Sequence, residues 1–343
     1  MPVDTLLLSG DEVRELLPVA DCIAAVEAAF RAAALGAASR PGVLGMKALG
    51  GKGGFHVKAA ALRLEREYFA AKLNANFPDN PLQRGLPTIQ GVVALCDGED
   101  GRLLALMDSS EITRLRTGAA TAVAAKYLAR PDASTLTVFG CGRQAKAQVE
   151  CLAQVLPLTR LYLSDVRPEA AAALASELAA SLGIAAQAVE GGEALWRARA
   201  SDVVVTCTPA RRFFLTRDHV GAGAFVAGVG ADDAGKQELE PELLAASAVV
   251  ADVLEQCATI GDLHHALAAG VMRREDVRAE LAEVVGGSKP GRVSRDEITV
   301  FDSTGTALED VAAAAMTYRR ALAAGRGTLL RLAGSADPSR EGI

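Results

Sequence analysis

Short apolar runs alternate with helical stretches through the middle of the chain. Each run has four to seven residues and is apolar almost throughout, which is typical of strands that are buried on both faces. Between the second and third runs, Pro168–Leu182 places apolar residues at helical spacing. This alternation predicts a doubly wound parallel sheet. The runs are Leu136–Phe139, Leu161–Ser164, Asp202–Thr206, Ala224–Gly230, Val249–Val253 and Ile298–Asp302.

The first third of the chain follows another pattern. Residues 11–36 place apolar residues at helical spacing, with Asp21 as the expected N-cap before Cys22. From Gly42 to Ala105 glycines are frequent and short strand-like runs follow one another, which predicts an antiparallel or mixed sheet. The predicted strands are Gly54–Lys58, Phe69–Leu73, Ile89–Leu95 and Leu103–Met107, with the turn Asp97–Gly101 between the last two.

Two long helical patterns connect these regions. Thr113–Ala129 is rich in Ala and is followed by Pro131, so we expect a helix that leads into the parallel-sheet domain. A second helix, over about 306–324, is expected to return the chain to the first domain. The sequence therefore predicts an α+β domain of residues 1–125 plus 306–343, into which residues 126–305 are inserted. The polar tail Ser335–Ile343 is expected to fray.

Composition narrows the class of protein. The 343 residues are 50% hydrophobic and carry a net charge of -6, with no basic block, which argues against a nucleic-acid partner. No apolar run approaches the roughly 18 residues of a membrane span, and no signal peptide is recognisable. Six scattered cysteines and four histidines favour reduced thiols and no metal site. We expect a cytoplasmic enzyme.

A glycine-rich turn follows the first apolar run. Gly140 permits a tight turn, and Gly142 lets the backbone approach a pyrophosphate at a helix N-terminus, with Ala145 in place of the usual third glycine. Asp165 ends the next run, about twenty residues on, where an acid can accept hydrogen bonds from ribose hydroxyls. This order of parts predicts a Rossmann-type dinucleotide site, and a purely structural turn is the alternative.

Five of the predicted strands in this region, including the two just described, end on polar or glycine-rich residues. In an open α/β sheet, ligands bind beyond the carboxyl ends of the strands, so these ends are candidate site positions. Each of them alone is equally consistent with an ordinary loop. The ends are Gly140–Gln144, Asp165, Thr206–Thr208, Val229–Asp233 and Asp302–Thr304.

Three cations and one acid are candidates for chemistry. Lys58 and Lys72 lie in predicted strands, where a snorkelling surface lysine is the simpler interpretation. Arg116 has small, apolar neighbours, and a buried arginine needs an anion, which a substrate, a cofactor phosphate or a structural ion pair could supply. Asp232 follows a strand and could orient or protonate a substrate nitrogen, or serve as a turn acid.

Several motifs together resemble the ornithine cyclodeaminase/mu-crystallin family. The resemblance runs in order from about Arg40 to Asp310. It implies a homodimer, a substrate-binding and dimerisation domain made from both chain ends, and a central Rossmann domain that binds NAD or NADP. The motifs are Gly85–Thr88, Ile112–Ala120, Gly140–Ala145, Val229–Asp232, Gly235–Leu239 and Phe301–Gly305.

The resemblance also implies roles for individual residues. Lys72 and Arg116 correspond to a clamp on the substrate carboxylate, with Arg40 as a third member. Asp232 corresponds to the catalytic acid at the substrate nitrogen, and Lys72 is the second catalytic candidate. Lys58 and Thr304 are further substrate-binding candidates. The cofactor-binding candidates are Thr88, Gly140, Gly142, Arg143, Gln144, Asp165, Arg167, Thr206, Val229, Asp232, Lys236 and Ser303.

One departure from the family pattern bears on the reaction. Cyclodeaminases of the family carry a water-activating glutamate a little more than ten residues before the equivalent of Lys72, whereas Phe55–Ala60 contains no carboxylate here. Residues 54–78 also resemble family members that reduce Δ1-pyrroline-2-carboxylate. The resemblance therefore implies an NAD(P)H-dependent reductase that forms L-proline or L-pipecolate from a cyclic imino acid.

Three other activities stay open at this point. Ornithine cyclodeaminase is the first alternative, and it would release ammonia while recycling NAD+. The others are an alanine dehydrogenase and a non-catalytic binder of the mu-crystallin type. Asp165 favours NAD because a carboxylate repels a 2′-phosphate, whereas Arg167 could offset that repulsion for NADP.

Overall fold

The computed structural model describes residues 4–332, and the predicted fraying of Ser335–Ile343 lies outside them. The chain divides into two compact units. The first comprises residues 1–113 and 307–343, as far as these are described, and the second comprises residues 114–306.

The strands are numbered in chain order. They are β1 (Thr5–Leu8), β2 (Gly42–Lys47), β3 (Gly54–Arg63), β4 (Glu67–Asn76), β5 (Ile89–Asp97), β6 (Leu103–Asp108), β7 (Thr135–Phe139), β8 (Arg160–Ser164), β9 (Ala185–Ala188), β10 (Val203–Thr206), β11 (Arg211–Leu215), β12 (Phe225–Gly228), β13 (Gln237–Leu239), β14 (Ala248–Ala251), β15 (Ala279–Glu280), β16 (Thr299–Asp302) and β17 (Thr328–Leu330).

The α-helices are numbered in the same way. They are α1 (Gly10–Leu16), α2 (Val19–Ala34), α3 (Asn80–Arg84), α4 (Ser109–Leu128), α5 (Arg143–Leu152), α6 (Pro168–Leu182), α7 (Gly191–Ala200), α8 (Pro241–Ala245), α9 (Leu254–Ile260), α10 (Asp262–Ala268), α11 (Leu281–Val285) and α12 (Ala307–Ala324). Within residues 4–332 no helix is long and apolar enough to cross a membrane.

The first unit contains a seven-stranded mixed sheet. Its order is β17-β1-β6-β5-β4-β3-β2, in which only the β1–β6 pair is parallel, so the predicted mixed sheet is confirmed. Helix α12 packs against β3 and β4. The strands alternate accordingly: Ala60 and Ala70 are buried under the helix, whereas Phe69 and Leu73 lie on the other face and are exposed.

Two helix predictions were partly wrong. The helical spacing of residues 11–36 is confirmed as two helices, α1 and α2, but Asp21 is not an N-cap: α2 begins at Val19, because Pro18 lacks an N–H and disfavours helical geometry in the residue before it. Helix α4 begins at Ser109, four residues before the predicted Thr113. Asp108 Oδ1 accepts a hydrogen bond of 2.8 Å from the Ser110 N–H, and this bond favours the earlier start.

The second unit is built on an eight-stranded sheet in which every pairing is parallel. Its order is β15-β14-β16-β12-β10-β7-β8-β9, which confirms the doubly wound, Rossmann-type fold. The strand order reverses between β7 and β10, where this class of fold binds ligands. β12 and β14 end at Gly228 and Ala251, two residues earlier than predicted, so Val229 and Asp252 belong to the ligand-binding edge.

Candidate active site

The glycine turn between β7 and α5 has the geometry that a dinucleotide requires. Gly140 has φ +89°, and a Cβ there would lie 2.7 Å from the carbonyl oxygen of Cys207, so a side chain is excluded. Gly142 is the N-cap of α5, and no atom lies within 4 Å of where its Cβ would be. No side chain caps this helix. The turn therefore offers helix N–H groups and open space to a pyrophosphate.

Asp165 holds the end of β8 against this turn. Its Oδ2 accepts a 2.7 Å hydrogen bond from the Cys141 N–H, and its Oδ1 accepts one of 2.9 Å from the Arg167 N–H. The Arg167 guanidinium is 3.6 Å from the same carboxylate and is largely exposed. Burial and the Asp165 carboxylate raise the pKa of the Cys141 thiol to about 12, so this cysteine is a poor nucleophile.

The loop after β12 carries an exposed ion pair. Asp232 Oδ1 lies 2.5 Å from Lys236 Nζ, and the Asp232 side chain is 51% exposed. Gly230 O accepts a 3.0 Å hydrogen bond from the Asp232 N–H, so a tight turn presents the acid. A 2.9 Å hydrogen bond from the Val229 N–H to the Thr206 carbonyl joins the loop after β12 to the last residue of β10. Asp232 is thus an accessible acid next to two of the cofactor-binding candidates.

Arg116 is seated on the loop that follows β16. Its side chain is buried, and a Cβ on Gly305 would lie 2.5 Å from Arg116 Nη1, so the glycine makes room for the guanidinium. Asp252 fixes this loop by accepting hydrogen bonds from the N–H groups of Thr304 (2.8 Å) and Gly305 (2.6 Å). The hydroxyls of Ser303 and Thr304 also lie 3.2 Å from the Asp252 carboxylate.

Lys72 is buried in the first unit rather than snorkelling. Its Nζ lies 2.9 Å from Asp310 Oδ1 and 2.8 Å from Oδ2, and both side chains are at most 4% exposed. Lys58 stands directly opposite Lys72 in the β3–β4 register. Two lysine side chains therefore share the sheet face that α12 covers, and the Asp310 carboxylate offsets part of their charge.

A polar row follows the lysines on the same sheet face. Ser109 Oγ donates a 2.6 Å hydrogen bond to Asn74 Oδ1, and Asn74 is paired with His56 on β3 and with Gly91 on β5. A Cβ on Gly91 would lie 2.3 Å from Asn74 Oδ1, so the glycine permits this approach. Sequence reasoning missed this row, although the two-residue spacing of Lys72 and Asn74 on a strand was a usable signal.

Two further candidates, Arg40 and Thr88, lie before strands of the first unit. Arg40 is exposed and precedes β2, and Thr88 is half-buried before β5, where its carbonyl accepts the Phe77 N–H at 2.8 Å. At the carboxyl edge of the parallel sheet, the second unit brings together Gly140, Gly142, Asp165, Thr206, Val229 and Ser303. Among the described residues, no group of three or more His, Cys, Asp or Glu side chains is arranged to hold a metal ion.

Comparison with known proteins gives matches over nearly the whole chain. The chain matches the ornithine cyclodeaminase/mu-crystallin family over residues 3–325. It is 39% identical to an alanine dehydrogenase of Archaeoglobus fulgidus over 329 residues, which is 96% of this chain and 99% of that protein. It is 37% identical to the iminosuccinate reductase of Paracoccus denitrificans over 269 residues, which is 77% of this chain and 78% of that protein.

Solved structures with the same fold point to the same family. An archaeal alanine dehydrogenase dimer with bound NAD has a TM-score of 0.90 at 39% identity, over 96% of this chain and 100% of that chain. Δ1-Pyrroline-2-carboxylate reductase of Thermococcus litoralis, in complex with NADH and L-proline, has a TM-score of 0.90 at 32% identity, over 94% of this chain and 99% of that chain. A lysine cyclodeaminase has a TM-score of 0.82 at 30% identity, over 96% of both chains. The protein therefore belongs to the ornithine cyclodeaminase/mu-crystallin family, among whose members are NAD-dependent reductases and dehydrogenases as well as cyclodeaminases.

Proposed function

We propose that the protein is an NAD(P)H-dependent reductase of small cyclic imino acids, which forms L-proline or L-pipecolate. The observation that carries this proposal is the composition of the β3 face beside Lys72. Its residues are His56, Lys58 and Ala60, and no residue of Gly54–Leu62 is a carboxylate. Without an acid on this strand to activate water, the site favours reduction of a preformed imine over cyclodeamination.

The residues of this chain have distinct tasks in the proposed reaction. Lys72 and Arg116 bind the substrate carboxylate, and the packing of each side chain restricts its motion: Lys72 against Asp310, and Arg116 against Gly305. Asp232 stabilises the protonated imine nitrogen, which makes the imine carbon more electrophilic. When bound, the nicotinamide supplies the hydride.

We propose that unit 2 binds the cofactor and that NADH is preferred to NADPH. The open space at Gly142 and the uncapped N-terminus of α5 fit a pyrophosphate. The Asp165 carboxylate, fixed by Cys141 N–H, stands where it would repel a 2′-phosphate. The Arg167 guanidinium lies 3.6 Å from the Asp165 carboxylate, so this carboxylate already balances part of the positive charge that could otherwise attract a 2′-phosphate.

A homodimer formed through the first unit is part of the proposal. On the sheet face away from α12, strands β2, β3 and β4 expose five large apolar side chains, and we call them the apolar sheet surface: Leu44 (55%), Met46 (53%), Phe55 (38%), Phe69 (38%) and Leu73 (43%). A contiguous apolar patch of this kind marks an interaction site, and we propose a second copy of the chain as its partner.

The dimer is tested by placing a charge on this surface. Phe69→Glu should yield a monomer in size-exclusion chromatography with light scattering, because the carboxylate would be buried at the interface. Leu322→Glu is the matched control, since Leu322 is 55% exposed on α12 and outside the surface. A dimer that persists in Phe69→Glu would contradict the proposed interface.

Alanine dehydrogenase is the second candidate, favoured by the 39% identity with the A. fulgidus enzyme. A substrate panel separates the candidates through NADH oxidation. We expect Δ1-pyrroline-2-carboxylate or Δ1-piperideine-2-carboxylate to give a higher kcat/KM than pyruvate with ammonia. The opposite order would replace the proposed reaction with the dehydrogenase.

A further inference from the structure

A fully buried carboxylate joins two loops of the candidate dinucleotide site. Glu238, on β13, is 0% exposed. Its Oε1 accepts hydrogen bonds from the N–H (2.6 Å) and the hydroxyl (2.7 Å) of Thr208. Its Oε2 accepts from the Thr206 hydroxyl and the Gly230 N–H, both at 2.8 Å. One side chain thus connects the loop after β10 to the loop after β12.

Both loops adjoin positions where the cofactor and substrate are expected to react. The Cys207 carbonyl packs against Gly140 of the glycine turn, where a Cβ would lie 2.7 Å away. Gly230 precedes the turn that presents Asp232. Gly230 also has no room for a side chain, because a Cβ would lie 2.5 Å from Glu238 Oε2 and 2.4 Å from the Thr208 carbonyl oxygen. The lack of a side chain at Gly230 therefore permits its contact with the Glu238 carboxylate.

We infer that the ionised Glu238 is a positioning residue, which sets the spacing between the Thr206–Thr208 loop and the Gly230–Asp232 loop and so shapes the nicotinamide end of the cofactor site. The inference rests on the proposed function in one respect, because it takes that site to be the dinucleotide site. Glu238 acts through the loops and contacts no reacting atom.

The charge on Glu238 matters because two of its four donors cannot change role. Hydroxyls of Thr206 and Thr208 can donate or accept, but the N–H groups of Thr208 and Gly230 can only donate, and each faces a different carboxylate oxygen. A neutral carboxyl places a hydrogen on one of these oxygens, so it cannot hold both loops as well as a carboxylate does. Glutamine has the same conflict, since its NH2 group would face an N–H donor.

The surroundings of Glu238 favour its neutral form. The Asp262 carboxylate, on α10, lies close to it, and Asp262 Oδ1 accepts the N–H groups of Glu238 (2.8 Å) and Leu239 (3.0 Å). Asp262 Oδ2 makes no hydrogen bond within the described part of the chain. Asp302, on β16, accepts the Asp262 N–H, and the Glu238 carboxylate, after burial, raises the pKa of the Cys207 thiol. Glu238 thus lies near one acid, Asp262, which itself contacts a second acid, Asp302.

The pKa of Glu238 is raised to about 7, first by burial and then by the Asp262 carboxylate. Because this pKa lies above the ordinary value of 4.5, the loop-holding carboxylate dominates only above about pH 7. Cofactor affinity should therefore fall as the pH drops through about 7.

The test is the pH dependence of NADH binding, followed by NADH fluorescence in the full-length protein between roughly pH 6 and 8.5. We expect Glu238→Gln to bind NADH about tenfold more weakly than wild type at the alkaline end, as for the loss of one charged hydrogen bond. Its affinity should also vary less with pH, because the titrating group is gone. Glu297→Gln is the matched control, since Glu297 also accepts backbone N–H groups but lies before the amino end of β16.

Two outcomes would overturn the inference. One is wild-type NADH affinity with an unchanged pH profile in Glu238→Gln. The other is equal losses of affinity in Glu238→Gln and Glu297→Gln, which would indicate a general loss of stability. If Glu238→Gln fails to fold, Thr208→Val removes one donor and keeps the backbone. It should then bind NADH more weakly at an unchanged melting temperature, and unchanged binding would contradict the inference.

The binding measurement also separates this inference from the proposed reaction. NADH binding that depends on Glu238, without turnover of any imino acid, would contradict the proposed function and would still support the role of Glu238. Turnover of cyclic imino acids, together with a Glu238→Gln variant that binds NADH normally, would support the proposed function and contradict the inferred role of Glu238.

Discussion

The two units each contain a lysine–carboxylate pair among the candidate site residues, and the two pairs differ in burial. Lys72 and Asp310 are 4% and 1% exposed, whereas Lys236 and Asp232 are 21% and 51% exposed. Removing one member of a buried pair leaves an uncompensated charge away from water, which is costly. An exposed pair contributes little to stability, because water solvates either partner alone. The first pair is suited to fix a charge in place, and the second leaves an acid accessible to a substrate.

The largest effect should come from breaking the buried pair. Asp310→Asn is expected to lower the free energy of unfolding by about 3–5 kcal/mol, because Lys72 would lose its carboxylate partner in a buried site. Urea denaturation measures this change. Asp21→Asn is the matched control, since Asp21 pairs with Arg320 in the same unit at 39% side-chain exposure and should cost less than about 1 kcal/mol.

A double variant separates stability from activity at this pair. Lys72→Met/Asp310→Leu should recover most of the stability that Asp310→Asn loses, because neither charge is left unpaired. It should still lack reductase activity, because the cation for the substrate carboxylate is gone. Recovery of activity together with stability would show that Lys72 has no role in the reaction.

The exposed pair should behave in the reverse way. Asp232→Asn is expected to change the free energy of unfolding by less than about 1 kcal/mol. It should lower kcat/KM for the imino acid by about 100-fold to 10,000-fold, as for the loss of a general acid. Steady-state kinetics across the pH range measure this loss. Asp233→Asn is the control at the neighbouring position, and nearly full activity in Asp232→Asn would remove the acid from the mechanism.

The smallest effect should come from the lysine of the exposed pair. Lys236→Met is expected to change stability by less than about 1 kcal/mol and kcat/KM only a few-fold. Salt sharpens the contrast, because raising the ionic strength from about 0.1 M to 1 M screens exposed charges more strongly than buried ones. The effect of Lys236→Met should shrink with salt, whereas that of Asp310→Asn should persist. Equal salt sensitivity would contradict the contrast between the pairs.

Local patterns in the sequence were sufficient for much of the fold. Helix α6 has the predicted bounds, Pro168–Leu182, because Pro begins it and its apolar spacing is regular. The turn after β7 was predictable because its requirement for glycine is local: Gly140 has a positive φ and no room for a side chain. Asp165 was predictable in the same way from its place at a strand end.

Long-range partners could not be predicted. Asp310 is 238 residues from Lys72, and nothing in the spacing of charges identifies it among the 42 acids. Glu238 lies in a polar stretch, Gly235–Glu238, that has the composition of an exposed turn, yet its side chain is buried among backbone donors. A carboxylate held by N–H groups leaves no periodic signal, since its partners belong to loops brought together by the sheet.

The central claim is that the hydride leaves with the product, and one assay measures this directly. Purified protein is given Δ1-pyrroline-2-carboxylate with NADH, and L-ornithine with NAD+, while NADH and ammonia are both quantified. We predict one NADH consumed per L-proline formed from the imine, and no ammonia from ornithine. Ammonia release from ornithine with only catalytic NAD+, and no NADH consumption with the imine, would contradict the account.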